Sequence, residues 1–184
     1  MNDPTVLVLA SGRGERFIAS GGQGSKLQAL LAGRPVLAHT LDAVRASGLP
    51  FHVEDAGHPG MGDSIAAAVT ATRDAAGWLV LPGDLPLVQP ASLRAVAAAL
   101  ARHTVVLPVH DGVRGHPVGF GPACRDALLA LAGAEGAAAV VKAQRAAGDV
   151  IELPLDDAGI VTDVDTVADL ARIEQRLAAG DAPR

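Results

Sequence analysis

The sequence holds no tyrosine, one tryptophan and three phenylalanines. An aromatic content of 2% leaves almost nothing on which the bases of a single-stranded nucleic acid could stack. Positive charge is also short: 15 Lys and Arg stand against 20 Asp and Glu, for a formal net charge of -5 and a pI near 5.6. The basic face of a nucleic-acid groove is therefore not expected. Cys124 is the only cysteine, so an internal disulfide is excluded, and its amphipathic surroundings predict a buried thiol in a cytoplasmic protein. The six histidines form no i, i+4 pair and have no cysteine partner, which argues against zinc. Although 49% of residues are hydrophobic and mean hydropathy is +0.31, alanine supplies much of this. No apolar run approaches a membrane span. Met1-Asn2-Asp3-Pro4 brings no basic region before the first apolar segment, so a signal peptide is not expected.

What is present is a glycine loop. Val6 to Leu9 reads as a buried strand that stops at Ala10, Ser11, Gly12 and Gly14. Glycines at such a point permit positive φ and converging N–H groups, a phosphate cradle. Arg13, Arg16 and Lys26 add positive charge around it in an otherwise acidic chain. On the glycines alone, a ligand loop and a tight connection remain equally open. The dinucleotide fingerprint fails because Phe17 stands where its third glycine belongs, and the P-loop fails because GGQGSK places Ser before Lys.

The remaining pattern alternates. Strands are expected at Phe51–Glu54, Trp78–Leu81, Val105–Val109, Val150–Leu153 and Ile160–Val164, with Lys26–Leu31 a short strand or turn. Helices are expected over 35–47, closed by Gly48, and over 64–75, 91–102, 122–131, 137–147 and 167–179. Asp111-Gly112 predicts a hairpin that returns His116–Phe120 antiparallel, and Thr166 with Asp169 predicts a capping box. One α/β domain over 1–179 follows, with 180–184 a fraying tail and helices on both faces of a mostly parallel sheet. Such sheets bind ligands beyond the carboxyl ends of their strands. The residues there are Ala10 to Lys26, Asp84 in PGDLP, and Asp163 with Asp165. Singly, each acid could be a turn or cap residue, with Asp84 exposed at its strand end. Together, acids and a basic loop suit a nucleotide carrying Mg²⁺.

Six segments in order, LASGRGERF with Lys26, GRPVLAHTL, GMGDSIAAAV, LVLPGDLPLV, GHPVGF and GIVTDVDTVADL, resemble the molybdenum cofactor nucleotidyltransferases, above all the cytidylyltransferases. The resemblance implies a three-layer Rossmann-like nucleotidyltransferase fold. It also implies transfer of CMP from CTP to the terminal phosphate of molybdopterin, with Mg²⁺ and release of pyrophosphate. It places the nucleotide loop on Ala10, Ser11, Gly12, Gly14 and Arg16, the phosphate-binding lysine on Lys26 and a base contact on Ser64. The metal-binding acids fall on Asp84 and Asp165, with Asp163 a helper, and His116 becomes an acceptor-side contact or turn residue. Another phosphorylated acceptor, such as a sugar phosphate, or a non-catalytic relative serving a molybdoenzyme are the alternatives; neither nucleic acid nor membrane is an expected partner. The chain departs from the family in three places. Ile18 to Ser25 lengthen the loop before Lys26, a strand-helix unit after the first helix is missing, and Ser11 is neither the alanine of the cytidine enzymes nor the glycine of the guanosine ones.

Overall fold

The structure, a computed structural model, describes residues 3–12 and 14–179; Arg13 and the expected tail at 180–184 lie outside them. β1 (Thr5–Leu9) leads into a one-turn helix, α1 (Glu15–Ala19), and a small hairpin of β2 (Leu30–Leu31) and β3 (Arg34–Pro35). α2 (Val36–Ser47), β4 (Phe51–Glu54), α3 (Met61–Ala71) and β5 (Trp78–Pro82) follow, then α4 (Pro90–Ala99), β6 (Val105–His110), β7 (Val113–Arg114) and β8 (Val118–Phe120). A 3-10 turn at Pro122–Cys124 opens α5 (Arg125–Leu129), before α6 (Ala138–Ala146) and β9 (Val150–Pro154). A second 3-10 turn, Ala158–Val161, precedes α7 (Val167–Ala178).

The main sheet runs β4-β1-β5-β8-β6, with β9 on the far side of β6. β1 pairs in parallel with β4 and β5, and β6 with β9, while β8 is antiparallel to both of its neighbours. Because strand side chains alternate between faces, β1 divides its residues. Val6 and Val8 join Leu79, Leu81 and Val106 beneath Val44 of α2 and Leu93 and Val96 of α4. Leu7 joins Trp78, Val80, Val105 and Leu107 beneath Ile65 and Val69 of α3 and Leu128 of α5. This is the expected three-layer α/β fold, and each large side chain so buried contributes about 1.5–3 kcal/mol. Cys124 is buried in the second layer, and burial pushes its thiol pKa up. No helix among the described residues is long and apolar enough to cross a membrane.

Four expectations change. The loop after β1 contains α1, because Phe17 turns inward to a third cluster with Leu31, Val36, Leu87, Val164 and Ile173. The helix expected at 64–75 begins at Met61 and ends at Ala71; beyond it, Thr72 turns to accept a hydrogen bond from the Trp78 indole. The helix expected over 122–131 divides into the 3-10 turn and α5. The strand expected at Ile160–Val164 is instead the second 3-10 turn and an irregular segment. Ile160 and Val164 are buried, but as plugs: the Ile160 carbonyl accepts the His116 N–H and the Val164 N–H donates to the Asp84 carbonyl.

Asp157 holds that segment in place. Its carboxylate, 2% exposed, accepts from the Gln89 N–H, the Ser92 hydroxyl and the Gly159 N–H. Removing it strands buried donors, each worth about 1–3 kcal/mol. Asp157→Ala is expected to lower unfolding free energy by roughly 2–4 kcal/mol in urea denaturation. A loss under half of that would remove Asp157 as the anchor.

Candidate active site

β1, β4 and β5 end in register, Leu9 beside Glu54 on one side and Pro82 on the other, so the residues that follow them meet on one edge of the sheet. Beyond β5, Gly83 donates to the Leu9 carbonyl, and its own carbonyl accepts from Thr40 of α2, a hydroxyl buried for that purpose. A Cβ at Gly83 would lie 2.9 Å from the end of the Leu37 side chain and 3.1 Å from the Leu9 carbonyl oxygen, so the backbone packs closely there just before Asp84. Lys26 is fixed by a different device. The first-turn N–H groups of α2, which no helical carbonyl can satisfy, donate from Val36 to Ala29 and from Leu37 to Leu27. Asp165 precedes the helix start of α7, where the expected capping box of Thr166 and Asp169 is formed and Asp169 also accepts the Asp165 N–H.

These placements converge. Lys26 Nζ lies 2.5 Å from Asp84 Oδ2 and 2.8 Å from Asp165 Oδ1, and Arg16 pairs with the other oxygen of Asp165. Burial alone would lower the Lys26 pKa, but the charges and hydrogen bonds of Asp84 and Asp165 reverse this and raise it. Ligand oxygens of Asp84, Asp163 and Asp165 all lie within 4.8 Å of one another. Burial, and after it the charge of Asp165, raise the Asp163 pKa. Asp84 is 9% exposed, not the exposed acid expected of a strand end, and its Oδ1 is buried without a hydrogen-bond partner. Three hard oxygen donors with an orphaned carboxylate oxygen fit a divalent cation such as Mg²⁺.

Three clefts meet at Lys26. The first, about 290 Å³, is walled by Ser11, Gly12, His58, Met61, Ser64 and Asp84. The second, about 250 Å³, lies along Gly12, Gly14, Arg16 and Asp165. The third, about 370 Å³, opens on the far side of Asp84 towards Arg114, His116 and Asp163. Ser11 and Ser64 are joined by a 2.9 Å hydrogen bond. Of the two loop glycines, Gly14 has the positive φ expected of it, 62°. Ala10 lines none of these three clefts; its N–H is bonded to the Glu54 carbonyl. His116 stands beside Asp84 and Asp163, and burial lowers its pKa against the pull of those charges, so the imidazole is neutral at pH 7. The lengthened loop still delivers Lys26: Ser20 docks it on α7 by accepting the Val167 N–H.

One group was not foreseen from sequence. Glu54, 7% exposed, ends β4 and meets His58 Nε2 at 3.1 Å and His52 Nε2 at 3.4 Å. His52 and Glu54 are two apart on a strand, a same-face spacing that could have signalled them; His58 is brought in by the following loop.

The open α/β sheet thus carries a glycine loop, a lysine and a carboxylate cluster at the carboxyl ends of its strands, where such sheets bind ligands. The chain belongs to the MobA-like NTP transferase domain family, whose pattern matches residues 44–148, a span that contains Ser64, Asp84 and His116. The nucleotidyl transferase Mth528 of Methanothermobacter shares the fold at a TM-score of 0.81 and 19% identity, over 98% of this chain and 100% of that one. Molybdopterin-guanine dinucleotide biosynthesis protein A of Archaeoglobus fulgidus aligns at 0.63 and 18%, over 95% and 99%. Among curated relatives, the bifunctional protein GlmU of Halorhodospira halophila is 32% identical over 143 residues, 66% of this chain. The chain spans under a third of that relative, 28% of its length.

Glu54 makes a pH prediction. Burial would raise its pKa, but the Ala56 N–H and the two histidines outweigh this and hold it below the ordinary 4.5. A carboxylate with a depressed folded pKa stabilises the fold above its unfolded pKa, and that stability is lost as pH falls through the folded value. Glu54→Gln is therefore expected to lower Tm at pH 7 and progressively less below pH 4.5. A Tm deficit that persists unchanged at pH 3 would contradict the ionic role.

Proposed function

We propose that this protein is a Mg²⁺-dependent cytidylyltransferase that joins CMP from CTP to the terminal phosphate of molybdopterin and releases pyrophosphate. The observation that carries this reading is the meeting of three clefts on Lys26, with three carboxylates at the junction. One cleft suits a nucleoside, the glycine-lined one its β- and γ-phosphates, and the third an acceptor that approaches from behind Asp84. The family and the order of the six sequence segments favour molybdopterin over a sugar phosphate.

In this reading an acceptor phosphate oxygen attacks the α-phosphorus. The bond from that phosphorus to the oxygen shared with the β-phosphate breaks, and pyrophosphate leaves with the electron pair. The nucleophile is already ionised, so the protein has to position and neutralise more than to move protons. Arg16, Lys26 and the amides of Gly12 and Gly14 take the charge of the leaving phosphates. Asp84 and Asp165, with Asp163 beside them, would hold the metal, which when bound adds positive charge against the α-phosphate and the leaving group. His116, neutral and on the acceptor side, serves as a contact and not as a base. The intact lysine and carboxylate set weighs against a non-catalytic relative.

Pyrophosphate release from each NTP, with molybdopterin or a sugar phosphate as acceptor, tests the proposal. CTP with molybdopterin is expected to be the productive pair; turnover confined to the sugar phosphate would replace the acceptor. Asp84→Asn keeps a similar shape and a hydrogen bond to Lys26, so it is expected to cut turnover at least about 100-fold with little change in Tm. Near-normal metal-dependent turnover would refute the role.

Ser11 bears on base size. It stands where the resembling families carry alanine with cytidine and glycine with guanosine, and its Cβ crowds a purine as alanine's would. One methyl-sized contact discriminates by about 10–200-fold. Ser11→Gly is expected to raise kcat/KM for GTP relative to CTP within that range, and an unchanged ratio would exclude the steric account.

A further inference from the structure

Ser11 and Ser64 line the same cleft as Asp84, and their hydroxyls lie 2.9 Å apart. The direction of that hydrogen bond is decided elsewhere. Ser64 Oγ donates to the Gly60 carbonyl at 3.2 Å, one turn back along α3. A hydroxyl has a single proton, so Ser64 has none left for Ser11, and Ser11 must be the donor of the pair. Both protons are thus directed into the protein. What the two oxygens can still offer a ligand is lone pairs, two on Ser11 and one on Ser64.

His58, on the same wall, behaves alike. Its Nε2 faces Glu54 Oε1 at 3.1 Å, and Glu54, with its pKa held low, is a carboxylate that only accepts. The Nε2 proton is therefore also turned away from the cleft, and Pro59 beside it has no N–H.

We infer that the Ser11–Ser64–Gly60 relay makes this wall a hydrogen-bond acceptor and so selects a pyrimidine with an exocyclic amino group, cytosine, over uracil. This rests on the nucleotidyl-transfer reading above and specifies its base by polarity, where the Ser11 Cβ acts by size. Cytosine presents an N4 amino donor to such a wall. Uracil presents the O4 carbonyl at the same position, which loses the hydrogen bond and sets lone pair against lone pair.

The test compares wild type, Ser64→Ala and Ser11→Ala by equilibrium binding of CTP and UTP, in competition with a fluorescent nucleotide analogue in the presence of Mn²⁺, alongside pyrophosphate release. Wild type is expected to favour CTP over UTP by roughly 10–100-fold. In Ser64→Ala the Ser11 proton loses its acceptor and can turn to the uracil O4, so the CTP-to-UTP ratio is expected to fall at least about fivefold. Ser11→Ala keeps the Ser64-to-Gly60 bond and an acceptor-only wall, so its preference is expected to stay with CTP. Equal binding of CTP and UTP by wild type, or an unchanged ratio in Ser64→Ala, overturns the relay. So does loss of the CTP preference in Ser11→Ala. Ser64 is 3% exposed; where its alanine variant does not fold, the wild-type and Ser11→Ala ratios decide. CTP bound in preference to UTP, but with no pyrophosphate from any acceptor, overturns the proposed reaction and leaves the relay standing. Turnover with indifference between the two pyrimidines overturns the relay alone.

Discussion

A single ammonium group among crowded carboxylates organises this molecule. Asp84 follows β5, Asp163 and Asp165 lie before α7, and Lys26 comes from the loop after β1, so three distant stretches of chain end at one point. Without a cation there, the acids would repel one another at close range and in reduced contact with water. Lys26 closes the gap with short bonds to two of them, and Arg16 reinforces one from outside. The site is therefore part of what joins α7 to the sheet as well as a place for chemistry.

That convergence demands close backbone approach, and the chain provides it through small residues at the crossing points. Gly83 lies against Leu9 and Leu37, and a Cβ on Gly159 would stand 2.0 Å from the Leu87 carbonyl oxygen. The first crossing sets Asp84, and the second brings in the segment that carries Asp163 and Asp165. Around them, helix ends lock the remaining parts: the amino end of α2 holds the Lys26 turn, and the capping box of α7 holds Asp165. Rigid elements thus place the charged groups, the arrangement that electrostatic preorganisation requires.

The clefts divide the chemistry by composition. The second cleft runs along two glycines, Arg16, Lys26, Glu15 and Asp165, while the first sets hydroxyls, an imidazole and a methionine beside Lys26 and Asp84. Across Asp84, the third cleft adds Arg114 and a neutral histidine. All three clefts share Lys26, so the charged junction is common to them and the groups farther out differ from cleft to cleft.

Local pattern in the sequence was enough for the layers and for the identity of the charged groups. β1 is a continuous apolar run, α2 repeats with the helical period, Gly48 stops α2 with a φ of 74°, and Thr166 with Asp169 starts α7; each is a property of residues within a few positions of one another. The glycine loop and Asp84 could be singled out by their places after apolar segments, and Lys26 and Asp165 by the family resemblance; that Lys26 bonds both acids is a property of the folded chain. Partnership was not legible, since it depends on chain segments that meet only after folding. Nothing near Ile160 in sequence reveals that its carbonyl will accept from His116, which makes a plug of an apparent strand. Nothing near Glu54 announces that it will be buried with His58, and nothing near Ser11 announces a hydroxyl 53 positions away. Residue type and spacing determine which groups can ionise, donate or pack; the tertiary structure alone decides which way a shared proton points, because that depends on every neighbour the folded chain brings within reach.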